Sequence, residues 1–381
     1  MARIVLGSYM VRYPLGGMMS WVLQYLVGFQ RLGHDIYFVE KSGYPLSCFH
    51  PSTGEMTDDC AYGTSVLQAV LDRFGLGNRW CYVDAQSAYH GVSRSAIEGV
   101  FGTADVFIDM GTHGAWMQEA ASSGTRVLID GEPGLSQLKM QSALDAGETL
   151  IEYDWYFSNG RNLATRTGLA LMAGRDWRAI FHPVVADLYE PVHADRQAAF
   201  TTVMNWQSYG RIERDGHVYG HKDLEFTQFM TLPRRVGVPM EVAVAGKNAP
   251  LAELRTNGWR VRNGHDATVT VDSFNQYVRA SRGEFSVCKN GFVTLRTGWF
   301  SDRSAVYLAC GKPVVMQDTG FSAHLPVGEG LLAVDTLDEA AGAIDAIEAD
   351  YERHSRRARE IAVAYLDTSK VLGRFLSEIG L

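Results

Sequence analysis

The chain has 381 residues, 46% of them hydrophobic and 20% charged, and a formal net charge of −8. That length suits two domains with full apolar cores, and the acidic balance withholds the electrostatic drive for nucleic-acid binding. Five cysteines (Cys48, Cys60, Cys81, Cys288, Cys310) form no CxxC pair, and neither a long apolar run nor a signal-peptide pattern occurs. Reduced thiols in a cytoplasm, with no membrane span, are therefore expected.

The first half alternates strands and helices. Residues 3–6 are β-rich, residues 13–17 (YPLGG) are a glycine-containing loop, and residues 21–32 carry apolar side chains at helical spacing. Gly33 closes that helix and residues 35–40 (DIYFVE) form the next strand, a βαβ opening that implies a parallel sheet. Helices over 65–74 and 116–122 alternate with strands at 105–109 (DVFID), 126–130 (RVLID) and 153–157. The segment HPVVADLYEPV reads as a linker. A second series then begins: strands at 201–205, 240–245, 268–271, 285–288 and 313–316, with helices over 222–232, 273–281 and 302–310. Residues 337–365 read as one long helix, followed by further helix. The pattern predicts two Rossmann-like α/β domains, residues 1–190 and 191–365, facing a central cleft, with residues 366–381 as a further helical tail. Ligands of open parallel sheets sit at the carboxyl ends of strands, at switch points.

Residues 300–331, FSDRSAVYLACGKPVVMQDTGFSAHLPVGEGL, resemble a segment of the GT-B glycosyltransferases. There a loop opens a helix, the helix ends in an Ala-Cys-Gly-Lys-Pro-Val-Val turn, and a glycine-rich loop follows. Lys222–Phe226 is similar to a helix start of those enzymes, and Val203 to Trp206 stands at their first nucleotide-domain strand. The chain is similar to a bacterial branch sharing TRVLIDGEPG-, MNW- and GWFSDRS-like segments. One departure is clear: the two glutamates that many retaining members carry are replaced by Gly298 and Val306. Inverting and retaining outcomes both stay open.

The resemblance implies a metal-independent hexosyltransferase-like enzyme, with a nucleoside-diphosphate sugar as substrate and no cofactor, and a C-terminal segment, residues 366–381, that crosses back to the first domain. A diphosphate requires backbone donors, a helix N-terminus and cations. Ser301, Asp302, Arg303 and Ser304 open a helix, and Lys222 and Lys289 supply charge. Asn205 and Trp206 follow a strand and are placed to line the donor pocket, with Trp206 equally readable as core, and Asp318 and Thr319 are placed to face the sugar. On the acceptor side, Gly16 and Gly17 form a flexible loop. His113 follows the strand ended by Asp109, an arrangement suited to a general base and its orienting partner. Asp130 and Glu132, with the loop GEPG, form a second carboxylate group after the next strand. His50, His217, His221 and His265 have no metal-ligand spacing. Two alternatives remain: a sugar-nucleotide epimerase of the same fold, and a catalytically silent nucleotide-sugar-binding protein. The base, sugar and acceptor (a small molecule among the options) are not specified by the sequence, and a homodimer stays open.

Overall fold

A computed structural model describes residues 1–208 and 210–381. In the first half the strands are β1 (Arg3–Gly7), β2 (Asp35–Lys41), the hairpin β3 (Cys48–His50) and β4 (Glu55–Thr57), β5 (Trp80–Val83), β6 (Tyr89–Gly91), β7 (Val106–Asp109), β8 (Thr125–Asp130), β9 (Trp155–Ser158) and β10 (Trp177–Ala179). In the second they are β11 (Phe200–Asn205), the hairpin β12 (Ile212–Arg214) and β13 (His217–Tyr219), β14 (Met240–Ala245), β15 (Arg260–Asn263), β16 (Gly283–Ser286), β17 (Val314–Gln317) and β18 (Leu331–Val334).

The first sheet runs β10-β9-β8-β7-β1-β2-β5-β6 and the second β15-β14-β11-β16-β17-β18. Every neighbouring pair in the two is parallel except β5–β6. Both contain the doubly wound order, in which the chain returns to the middle and builds outward the other way. The switch points therefore fall between β1 and β7 and between β11 and β16. Helices cover both faces of each sheet, so central strands such as VFID and VVMQ are buried throughout. The fold is α/β with two Rossmann-like sheets.

Three local readings change. Residues 268–271 form no strand; Thr270 caps the helix Val271–Ala280, its hydroxyl accepting from Ser273 N at 3.0 Å. The β-branched run Thr268 to Val271 signals a strand, but a threonine hydroxyl at a helix start outweighs it. The helix expected over 222–232 stops at Phe226 and continues as 3-10 turns around Pro233. The long helix over 337–365 divides into Leu337–Ala349 and Tyr351–Ile361, with Asp350 capping the second. The last helix, Thr368–Glu378, lies on the helix Gly16–Arg31. Phe375 meets Phe29 and Phe157 at ring separations of 6.1 and 5.0 Å.

Candidate active site at the facing strand ends

The carboxyl ends of the two sheets meet across one cleft. Lys289, three residues beyond β16, reaches Glu132, just beyond β8, and its Nζ lies 2.5 and 2.6 Å from the two carboxylate oxygens. A backbone bridge joins Gly160 to Trp299, and Asn162 Nδ2 donates to Arg296 O at 2.7 Å. Gly16, first residue of the helix Gly16–Arg31, donates its N–H to Thr268 O at 2.6 Å. A Cβ on Gly16 would lie 2.0 Å from Thr270 O, so only glycine fits. Gly16 is thus fixed at an inter-sheet contact and is not part of a flexible acceptor loop; a Cβ on Gly17 would meet nothing.

On the second sheet, Lys222 opens its short helix beside the end of β16. It is 8% exposed, and its ammonium has no hydrogen-bond partner among the described residues. Burial, helped by the Arg303 charge, lowers its pKa to about 7. Glu225 ties this helix to neighbouring strand ends, accepting from Asn290 Nδ2 at 2.7 Å and Gln317 Nε2 at 2.5 Å. Asn205 is exposed at the end of β11. Ser301 precedes the helix Asp302–Ala309; its buried hydroxyl makes no cap bond and has no partner among the described residues. Asp302 sits half-buried in the first turn.

Five other expected donor residues are engaged inside the second domain. Arg303 points beneath the strand ends: Nε donates to Glu284 at 2.5 Å, one terminal nitrogen to Val203 O at 2.8 Å and the other to Ser286 Oγ at 2.8 Å. Glu284 is fully buried, so this guanidinium neutralises an interior carboxylate rather than facing a phosphate. Ser304 is buried with Oγ 3.8 Å from Met316 Sδ. Trp206 is core, its ring 5.5 Å from Phe226. Asp318 accepts from Gly320 N at 2.8 Å, Ser322 Oγ at 2.7 Å and Arg296 at 3.2 Å, and Thr319 Oγ1 donates to Trp299 O at 2.6 Å. These last two shape the loop after β17.

On the first sheet, Asp109 and His113 do not pair. Asp109 is fully buried and accepts from Thr112 N at 2.7 Å, Gly114 N at 2.8 Å and the Tyr153 hydroxyl at 2.8 Å. A carboxylate that closes its own loop in this way turns away from the imidazole four residues further on. His113 is exposed, with a φ of +52°. Asp130 is likewise consumed by Glu132 N, Ser136, Gln137 and Ser158 at 2.6 to 3.0 Å. That network fixes the GEPG turn and sends Glu132 across the cleft. Tyr9, its phenol pushed up to about 12 by burial and then by the Glu132 charge, packs edge-on to Trp21 at 6.0 Å. Glu40, at the end of β2, accepts from the backbone N–H groups of Met10, Val11 and Arg12 at 2.7 to 3.0 Å and anchors the loop after β1. Sequence alone names Glu132 as a carboxylate after a strand, but its partner lies in the other half of the chain.

Solved structures similar to the chain over its whole length are glycosyltransferases. An alpha-glucosyltransferase in complex with UDP and DNA aligns with a TM-score of 0.59 at 11% identity, over 100% of both chains. HepE from Anabaena, in complex with UDP and glucose, aligns with a TM-score of 0.58 at 12% identity, over 100% of this chain and 99% of that one. AviGT4, a glycosyltransferase involved in avilamycin A biosynthesis, gives 0.55 at 14% identity over 99% and 97%. No family model and no curated protein matches the sequence. The fold is therefore GT-B, two Rossmann-like sheets meeting across a cleft, as the resemblance implied.

Proposed function

We propose that the chain is a glycosyltransferase that uses a nucleoside-diphosphate sugar. The observation that carries the reading is the pair of lysines at the end of β16: Lys222, buried with an unpartnered ammonium among the described residues, and Lys289, held by a carboxylate of the opposite sheet. The Lys222 side chain is largely buried and its ammonium meets no acceptor among the described residues, so its donors are available to a diphosphate placed between the two lysines. The UDP and UDP-glucose named for two of the similar structures support this class of donor.

In this scheme the diphosphate takes the position of the Glu132 carboxylate on Lys289. Glu132, released into the cleft, is the carboxylate nearest the incoming acceptor. In an inverting transfer the acceptor hydroxyl attacks the anomeric carbon, the bond to the phosphate oxygen breaks, and Glu132 takes the hydroxyl proton. The nucleoside diphosphate leaves with its charge held by Lys222 and Lys289. Among the described residues no helix is long and apolar enough to cross a membrane.

A thermal-shift screen with UDP, TDP and GDP identifies the base, since a ligand of the native state raises the melting temperature. Transfer is then followed with the matching sugar nucleotides and an acceptor panel. Glu132→Gln should lower inverting turnover by roughly 10²–10⁴-fold while the nucleoside diphosphate still binds. Epimerised donor without transfer, or a Glu132→Gln enzyme of normal turnover, refutes the assignment.

A further inference from the structure

A second constellation lies at the outer edge of the first sheet, at β5 and β6, four and five strands from β8, or about 19 to 24 Å at the usual inter-strand spacing. Cys60 is the residue before the helix Ala61–Asp72. Asp84 follows β5 and His90 lies in β6, where it pairs with Tyr82 across the hairpin. His90 Nε2 is 2.8 Å from Asp84 Oδ2 and 3.6 Å from Cys60 Sγ. The three ligating atoms all lie within 4.8 Å of one another. Asp84 is aimed by its own turn: its other oxygen accepts from Gln86 N at 2.9 Å and Ala88 N at 2.8 Å, which leaves Oδ2 for the imidazole.

We propose that Cys60, Asp84 and His90 bind one divalent cation of the zinc class. Sulfur, imidazole and carboxylate are the donor set of that class. Ordinary zinc bond lengths at tetrahedral angles place sulfur and nitrogen roughly 3.6 Å apart and nitrogen and oxygen roughly 3.4 Å apart. The sulfur–nitrogen separation already fits. The nitrogen–oxygen pair opens by about 0.6 Å when the metal replaces the proton between them. The three atoms face a cavity of about 670 Å³, whose wall includes Asp58, Asp59, Thr64 and Gln68. The cavity gives an entry path and leaves a fourth coordination position for water or an oxygen ligand, and the two aspartates draw in a cation. Burial keeps the Cys60 thiol protonated in the empty protein, with its pKa pushed to about 11, so binding releases a proton. The sequence pattern does not reveal this site because its ligands come from a helix start, a hairpin turn and the hairpin's second strand.

The test is titration of the chelator-treated full chain with Co²⁺, read by thiolate-to-cobalt charge-transfer absorption and displaced by Zn²⁺. The expected result is a band that saturates at one equivalent, is absent in Cys60→Ser, and persists in Cys48→Ser and Cys288→Ser. Asp84→Asn keeps the thiol and should weaken Co²⁺ binding by at least about tenfold, which covers the case of a Cys60→Ser protein that fails to fold. No thiolate band, a band that survives Cys60→Ser, one lost in Cys48→Ser, or unchanged affinity in Asp84→Asn overturns the proposal.

Discussion

The two walls of the cleft use their strand-end charges differently. On the first sheet Asp109, Asp130 and Glu40 are buried and turned back on the loops that follow them, accepting backbone and side-chain donors. They build the wall. On the second sheet Lys222 retains an ammonium with no acceptor among the described residues, and Lys289 reaches across the cleft to the Glu132 carboxylate. Arg303 belongs with the first group although it lies on the second sheet: its donors go to Glu284, Val203 and Ser286. A charged residue at a strand end is thus structural when its own domain satisfies it, and available to a ligand when it does not.

The comparison can be broken most strongly at Arg303. Arg303→Met leaves Glu284 buried without its counter-ion and should cost about 3–5 kcal/mol of stability, measured by urea denaturation. Nucleoside-diphosphate affinity of the folded fraction should stay the same; a selective loss of affinity would return Arg303 to the phosphate site. Lys222→Ala has the opposite profile. It should weaken diphosphate binding by about 1–3 kcal/mol in calorimetry, with free-nucleoside binding unaffected and stability kept or raised. Equal losses for nucleoside and diphosphate would place Lys222 away from the phosphates.

Lys222 also sets a pH dependence. Its folded pKa, about 7, lies below its ordinary value of 10.5. The unfolded chain therefore binds more protons between those two values, and this group makes stability rise with pH across that window. A bound diphosphate favours the charged amine and takes up a proton, so affinity should fall as pH rises from 7 to 9, by up to about tenfold per unit. Lys222→Arg, charged at every such pH, should flatten the profile. A wild-type affinity constant from pH 7 to 9 would contradict the buried, unpartnered ammonium. The smallest effect is expected at His113, exposed and unpaired with Asp109. His113→Ala should leave turnover within about twofold of wild type, as surface substitutions usually do; a loss of a hundredfold or more would restore it as the base.

Much of the fold was legible in the sequence because parallel strands buried on both faces read as short apolar runs between helical periods. DVFID, RVLID and MEVAVA are strands in the structure, and two Rossmann-like sheets follow from their alternation. Less legible were the capped or edge elements. Residues 268–271 look β-like but hold a helix cap, and β6 and β10 are three-residue edge strands too short to carry a period. The sequence by itself also placed Asp109, Lys222, Lys289 and Arg303 near strand ends or helix starts, since those positions follow from local periodicity. Only the tertiary structure decided which way each points. Lys289 meets Glu132 and Arg303 meets Glu284 because separate segments pack together, and Cys60, Asp84 and His90 converge because a helix start docks on a hairpin. Direction and partner depend on contacts between segments distant along the chain, which no local spacing records.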